Sequence, residues 1–370
     1  MRIGIAARDL ARSGCGVGTY ISNIVDHVTR QDQKNEYVIF CQNRDSMDLA
    51  PGALTQRLNS NNKVIWDYAL LPRAVKKHKL DLLFCTKNVL PFGIKGKSII
   101  TIHDLAYYDQ SLNAYKRLDT LYMRRMIRSS VGRANGIIAV SENTKLDILR
   151  TLDPPKATGI KVIHEAASEA FRVLEDENIL ARCRKKYALD GPFFFYAGSI
   201  SPRKNLARTV RAFARIAGDI PHTFVITGGR RWHDGDFFDA VGRSGVADRI
   251  KILGHVNQEE IVGLYNLADF SIYPSLYEGF GLPIIEAMSC GTPVACANGT
   301  SLPEVAGDAA LFFDALNEDS IADAILRLAQ DEKLRGEYAA KSLDRAKKFS
   351  WQRTAEETIA FFNEIGAQTP

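Results

Sequence analysis

Short apolar runs, many of them β-branched, alternate with amphipathic stretches along nearly the whole chain. In the first half they read RIGIAA, YVIFC, KVIW, DLLFC, SIITIH, GIIAVS and KVIH. In the second half they read FFFYAGS, TFVITGG, IKILGHV, FSIYPS, PVACA and ALFF. Apolar residues in succession, rather than in alternation, predict strands buried on both faces. Between the runs, Ile21, Ile24, Val25 and Val28 recur at helical spacing and predict a helix over Val17–Arg30. Strands alternating with helices predict parallel sheets covered on both faces. The pattern thins over Glu165–Pro192, which is polar and helical in tendency. Residues 1–168 and 169–350 are therefore expected as two doubly wound α/β domains. Ligands of such sheets lie beyond the carboxyl ends of the strands, here in a cleft between the domains. The stretch Ser350–Ile365 carries an apolar stripe of Ala355, Ile359 and Phe362 after Trp351.

The length of 370 residues is enough for two such domains, each with its own core. A composition of 46% hydrophobic and 25% charged residues is that of a soluble globular protein. The net charge of +5 is too small to argue for nucleic acid, but it suits an anionic small molecule or an anionic membrane surface. The six cysteines are scattered without a CxxC pair and are expected as reduced, buried thiols of a cytosolic protein. Arg8 and Asp9 interrupt the N-terminal apolar run, which reads as a first strand rather than a signal peptide. No apolar run approaches the length of a membrane span.

Three loops at predicted strand ends carry the candidate chemistry. The first, RDLARSGCGVGTY, places Gly14, Gly16 and Gly18 before a helix. Glycines there let backbone N–H groups approach a phosphate at a positive helix end, although a plain strand–helix turn explains them equally well. In the second, GSISPRKN, Arg203 and Lys204 follow a strand and precede a helix. A guanidinium fork, an ammonium and a helix start then converge, a suitable receptor for a diphosphate. The competing reading is a solvated basic turn. The third, SLYEGFGLPIIEAMSCGTPVA, brackets a glycine turn with Glu278 and Glu286. Pro283 suits a first helical turn, and the N–H groups of Phe280, Gly281 and Leu282 are then available to negative charge. One carboxylate is placed to hold a vicinal diol, and the other to face a different part of the same ligand. A nucleoside diphosphate sugar has this layout.

EGFGLPIIE resembles the E-x7-E motif of the retaining, family-4 nucleotide-sugar glycosyltransferases. The resemblance covers almost the whole chain: IHD at Ile102–Asp104, VSENTK, GSISPRKN, ILGHV, the run Leu264–Val294 and SLPEVAGDAALFF. Within the family the sequence resembles the branch that attaches mannose or related hexoses in bacterial surface polysaccharides. In the first loop, Cys15 stands where many members have glycine. The resemblance implies a GT-B fold, with two Rossmann-like domains facing a central cleft. It implies an N-terminal acceptor domain, a C-terminal donor domain, and a last helix, 351–370, packed back on the first domain. It further implies that Glu286 binds the donor ribose and that Glu278 faces the donor sugar. Arg203 and Lys204 would hold the diphosphate, with backbone help from Phe280, Gly281 and Leu282. Gly16 and Gly18 would line the phosphate side, His103 would sit near the reacting carbon, and His255 and Val256 would flank the base. The donor favoured is GDP-mannose, and the acceptor a saccharide or lipid-linked saccharide at the inner face of the plasma membrane.

Asp234–Asp236 matches an Asp-x-Asp metal pattern, but it reads as a loop opening a helix. With Arg203 and Lys204 supplying positive charge, no metal cofactor is expected. Ser141 reads as the cap of a helix from Glu142. The basic segment Tyr115–Ala134 places Arg117, Arg124 and Arg128 on one helical face, with Leu118, Tyr122, Met123 and Met126 on another. It reads either as a surface helix packed on its own domain or as an attachment to an anionic membrane. Two other function classes fit the same two-domain plan: a sugar-nucleotide epimerase and a non-catalytic sugar-nucleotide binder. An epimerase needs no acceptor, and a binder releases no nucleoside diphosphate.

Overall fold

The computed structural model describes residues 1–10, 16–42, 52–112, 114–229 and 234–368. The chain forms two compact units. The first combines Met1–Tyr108, Arg117–Ala166 and Ser350–Pro370, and the second Asp109–Lys116 and Ala167–Phe349. The sequence pattern placed the divisions at 168/169 and 350/351 and did not mark the excursion at Asp109–Lys116.

The first unit holds a seven-stranded parallel sheet in the order β3-β2-β1-β4-β5-β6-β7. Its strands are β1 (Arg2–Ala6), β2 (Glu36–Cys41), β3 (Leu54–Arg57), β4 (Leu82–Cys85), β5 (Lys97–Ile102), β6 (Gly136–Ala139) and β7 (Gly159–Val162). Its helices include α1 (Gly16–Gln31), α2 (Lys63–Ile65), α3 (Leu71–His78), α4 (Arg117–Val131) and α5 (Glu142–Leu152). Ile5 of β1 lies between Ile39 and Phe84 in register, and every residue of β4 and β6 is buried.

KVIW forms no strand. The Asn62 side chain accepts from the N–H groups of Val64 and Ile65 at 2.9 and 3.3 Å, which starts α2. A π-helical turn over Trp66–Leu70 then leads into α3. Trp66, Leu71, Ala74 and Val75 are buried at helical spacing, so cap and burial together override the strand preference of Val64 and Ile65. The edge strand β3, LTQR, has only one apolar residue and left no sequence signal.

The second unit holds a six-stranded parallel sheet in the order β10-β9-β8-β11-β12-β13. These strands are β8 (Phe193–Ala197), β9 (Thr223–Thr227), β10 (Ile250–Gly254), β11 (Phe270–Tyr273), β12 (Val294–Ala297) and β13 (Ala310–Phe313). Its helices are α6 (Glu177–Tyr187), α7 (Leu206–Ile216), α8 (Gly235–Arg243), α9 (Gln258–Leu267), α10 (Leu282–Ser289), α11 (Leu302–Ala306), α12 (Glu318–Gln330) and α13 (Glu332–Ala346). Phe194 stacks on Phe224 at 4.4 Å and on Phe270 at 5.3 Å, which ties the three central strands together. Strand order reverses between β1 and β4 in the first sheet and between β8 and β11 in the second.

The last helix, α14 (Trp351–Ala367), belongs to the first unit. Ser350 caps it, accepting from the Arg353 N–H at 3.2 Å. Phe362 lies 5.1 Å from Phe84, ring to ring. Phe361 sits over Gly136, where a Cβ would come within 2.9 Å of its ring. Thr354 Oγ1 also donates to the His164 carbonyl at 2.7 Å.

Helix α4 departs from the expected division into faces. Arg124 donates to the carbonyls of Tyr107 and Tyr108 at 2.5 and 3.1 Å, and Arg128 to that of Thr151 at 3.3 Å. These two arginines therefore hold their own unit together. Met126 is buried, while Leu118 and Leu121 are 82% and 69% exposed. Cys41, Cys85, Cys183, Cys290 and Cys296 are buried, and Cys15 lies outside the described residues. Among the described residues no helix is long and apolar enough to cross a membrane.

Candidate functional site

The site of the second unit grows from its switch point. Two loops leave the carboxyl ends of neighbouring strands there, and a ligand beyond the sheet meets both. From β8 the chain passes through Gly198 into a 3₁₀ turn at Pro202–Lys204. From β11 it passes through Pro274 to Glu278. The Leu276 N–H donates to the Arg203 carbonyl at 2.9 Å and fixes one loop against the other.

Arg203, Lys204 and Glu278 form one cluster. Arg203 Nη1 donates to the Tyr277 carbonyl at 2.7 Å and to Glu278 Oε2 at 2.8 Å. Lys204 Nζ donates to Glu278 Oε1. The three side chains are 16%, 11% and 13% exposed, so their charges interact with little screening. Burial works against the Glu278 charge. The ion pairs with Lys204 and Arg203, with hydrogen bonds from Lys204 and Ser275, outweigh it and hold the carboxyl at about 2. Two cations against one anion leave the cluster net positive.

The third wall is the loop after β12. Thr300 Oγ1 accepts from the Glu278 N–H at 3.2 Å, and Ser301 Oγ donates to the carbonyls of Glu278 and Phe280 at 3.0 and 2.8 Å. Gly281 precedes α10 at φ 111°, a conformation that favours glycine, and Pro283 occupies the first turn of the helix. The Phe280 ring is buried against Phe349 at 5.8 Å. Phe280 and Leu282 are buried, and Gly281 between them is half-buried. Glu286 stands half-buried in the second turn of α10. Tyr265 bonds both the Tyr273 hydroxyl at 2.8 Å and the Pro283 carbonyl at 3.3 Å, anchoring the start of α10.

His255 and Val256 follow β10, His255 exposed and Val256 buried. The strand ends here pack very closely: a Cβ on Gly228, at φ 135°, would meet the Gly198 carbonyl oxygen at 2.0 Å. Asp234–Asp236 opens α8, with Asp236 in its first turn. Among the described residues no group of three His, Cys, Asp or Glu is placed to hold a metal ion.

The remaining predicted residues lie in the first unit. Gly16 and Gly18 do not precede α1 but form its first turn, Gly16 exposed and Gly18 buried. Gly14 lies outside the described residues. His103 follows β5 at the carboxyl end of the sheet. Its Nε2 lies 3.0 Å from the Thr86 carbonyl and its Nδ1 3.0 Å from Glu165, and its ring meets Tyr20 edge-on at 4.7 Å. Both ring nitrogens thus have partners within this unit. Ser141 Oγ accepts from the Thr144 N–H at 3.0 Å and caps α5.

The sequence reading missed Thr300, Ser301 and Asn205. Asn205 lies at φ 60° between the 3₁₀ turn and α7 and is 6% exposed. The signal available was the residue type, since asparagine tolerates the left-handed region better than other non-glycine residues.

The sequence pattern of the family described as "Glycosyltransferase Family 4" matches residues 14–166, and that of "Glycosyl transferases group 1" matches residues 181–345. The chain is 31% identical to O-antigen chain mannosyltransferase B of Escherichia coli, over 97% of this chain and 98% of that one. The chain belongs to the group 1, family 4 glycosyltransferases. A second relative is O-antigen chain mannosyltransferase RfbU of Salmonella typhimurium, 27% identical over 75% of this chain and 73% of its own. Among solved structures, the sucrose-phosphate synthase of Thermosynechococcus elongatus superposes with a TM-score of 0.79 at 19% identity, covering 100% of both chains. For this glycosyltransferase the two parallel sheets are those of the GT-B fold.

Proposed function

We propose that this glycosyltransferase moves a mannosyl unit from GDP-mannose to a saccharide or lipid-linked saccharide acceptor, with retention at the anomeric carbon, in the assembly of a surface polysaccharide. The observation that carries the reading is the net-positive Arg203–Lys204–Glu278 cluster at the switch point of the second sheet. Two preorganised cations there suit the charge that grows on a leaving diphosphate. The names of the two mannosyltransferase relatives support mannose as the sugar.

In this reading the bond from the anomeric carbon to the diphosphate oxygen breaks, and the bond to the acceptor oxygen forms on the same face. The acceptor proton passes to the departing diphosphate. Arg203 and Lys204 hold the diphosphate, with backbone from Phe280, Gly281 and Leu282. A carboxylate has about four lone-pair sites. Glu278 therefore keeps both cations in place and still accepts from a sugar hydroxyl. Glu286 accepts from the ribose hydroxyls, and His255 and Val256 flank the base through backbone. The cations supply the positive charge that a metal would bring, so the reaction is read as metal-independent.

Attachment to an anionic membrane belongs to the same reading. Leu118, Leu121, Tyr122 and Arg125 are all exposed and recur at one-turn spacing on α4. An exposed apolar stripe ending in arginine suits the boundary between headgroups and acyl chains. The enzyme would then work at the cytoplasmic face, where a lipid-linked acceptor is presented.

The deciding experiment mixes the protein with GDP-mannose, with and without a mannose-terminated acceptor, and follows GDP release and the product by NMR. Acceptor-dependent GDP release with an α-linked product is expected. An isomerised sugar nucleotide formed without acceptor would instead show an epimerase.

A further inference from the structure

Asn205 joins three strand-end loops. Its Nδ2 donates to the Pro274 carbonyl after β11 at 3.1 Å and to the Ala315 carbonyl after β13 at 2.7 Å. Its Oδ1 accepts from Arg208 Nη1 at 2.5 Å. A guanidinium only donates and a carbonyl only accepts, so the amide has a single orientation that satisfies all three bonds. The backbone of Asn205 is equally committed. Its N–H closes the 3₁₀ turn by donating to the Pro202 carbonyl at 3.0 Å, and its own carbonyl accepts from the Thr209 N–H at 3.3 Å in α7.

A residue that starts a helix usually has extended backbone. Asn205 instead has φ 60° and ψ 23°. This left-handed residue turns the chain directly from the 3₁₀ turn that carries Arg203 and Lys204 into α7. Its side chain, one residue after Lys204, grips the loop that carries Glu278 four residues after Pro274. Asn205 therefore sets both halves of the cation–carboxylate cluster at once.

We propose that Asn205 is a positioning residue of the transfer reaction: its left-handed backbone and bridging amide hold Arg203 and Lys204 at the spacing that a donor diphosphate requires. It acts through those two side chains and touches no substrate. The inference rests on the diphosphate assignment made above.

Two variants separate backbone from side chain. Asn205→Gly keeps the left-handed turn without strain and removes the amide, whereas Asn205→Ala removes the amide and strains the turn. The readout is calorimetric affinity for GDP and for GMP, or for UDP and UMP if the wild-type protein binds the uracil pair instead. The cations serve the terminal phosphate, so Asn205→Gly is expected to lose affinity for the diphosphate on the order of tenfold, with monophosphate affinity within about twofold of wild type. Asn205→Ala should lose at least as much. A general loosening of the unit would lower both affinities by the same factor, and that result overturns the proposal. So does a GDP-to-GMP preference left at the wild-type value in Asn205→Gly. Arg203→Ala is measured beside them. If it loses the preference while Asn205→Gly keeps it, the positioning role fails and the diphosphate assignment stands. If Arg203→Ala keeps the preference, the diphosphate assignment itself is wrong and the inference goes with it.

Discussion

Arg203 donates to Glu278 through Nη1 at 2.8 Å, and the same carboxylate accepts Lys204 on its other oxygen. The carboxylate and the cations are 75 and 74 residues apart in the chain. They meet because β8 and β11 are neighbours where the strand order reverses.

This pairing makes stability depend on pH in a defined direction. The Glu278 carboxyl is held at about 2, against 4.5 unperturbed. Its folded value is depressed, so its contribution is present above about pH 4.5 and is lost as pH falls toward 2. A shift of this size corresponds to on the order of 3 kcal/mol. Glu278→Gln should be less stable at neutral pH, because two buried cations lose their counter-charge. Its acid limb in a plot of Tm against pH should also be shallower between pH 4.5 and 2. Parallel acid limbs for the two proteins would contradict the ion triad.

The two glutamates should separate in binding experiments. In the proposed reading Glu286 accepts from both ribose hydroxyls; Glu286→Gln would leave one acceptor oxygen and should weaken GDP binding by about 1.5–3 kcal/mol. Glu278→Gln should lower transfer from the sugar nucleotide by a larger factor than it lowers GDP affinity. Calorimetry on both variants beside transfer assays decides this. The opposite pattern would exchange the two roles.

Much of this arrangement was legible in the sequence, and the limits have physical reasons. EGFGLPIIE and PRKN are local: each lies in the segment that follows a strand the apolar pattern had already located. The role of Asn205 is not local, since its amide reaches Ala315, 110 residues on. Thr300 and Ser301 serve Glu278 from a loop 22 and 23 residues away. KVIW was misread because its β-branched residues said strand, while Asn62 and the burial of Trp66 said helix. The faces of α4 were misread because spacing cannot tell which arginine finds a carbonyl.

The exposed stripe of α4 should govern attachment to lipid. Leu118→Asp with Leu121→Asp removes apolar surface and adds negative charge at residues that hold no core together. Partition onto vesicles containing phosphatidylglycerol should fall on the order of tenfold or more, with soluble transfer unchanged. Wild-type sedimentation of this variant with the vesicles would move the contact elsewhere.

If Arg203 and Lys204 supply the positive charge at the leaving group, as proposed, transfer should continue in excess EDTA at close to the untreated rate. Complete loss of transfer, restored by magnesium, would show that a metal shares the work.

The most direct test of the central claim is the steady-state rate of GDP release from GDP-mannose, with acceptor present, for wild type, Arg203→Ala and Lys204→Ala. Each variant removes one preorganised donor from the developing charge, at a cost of roughly 3 kcal/mol. The account predicts that kcat falls on the order of a hundredfold in each, measured at a temperature where each variant's own melting curve shows it fully folded. Wild-type turnover in both variants would contradict it.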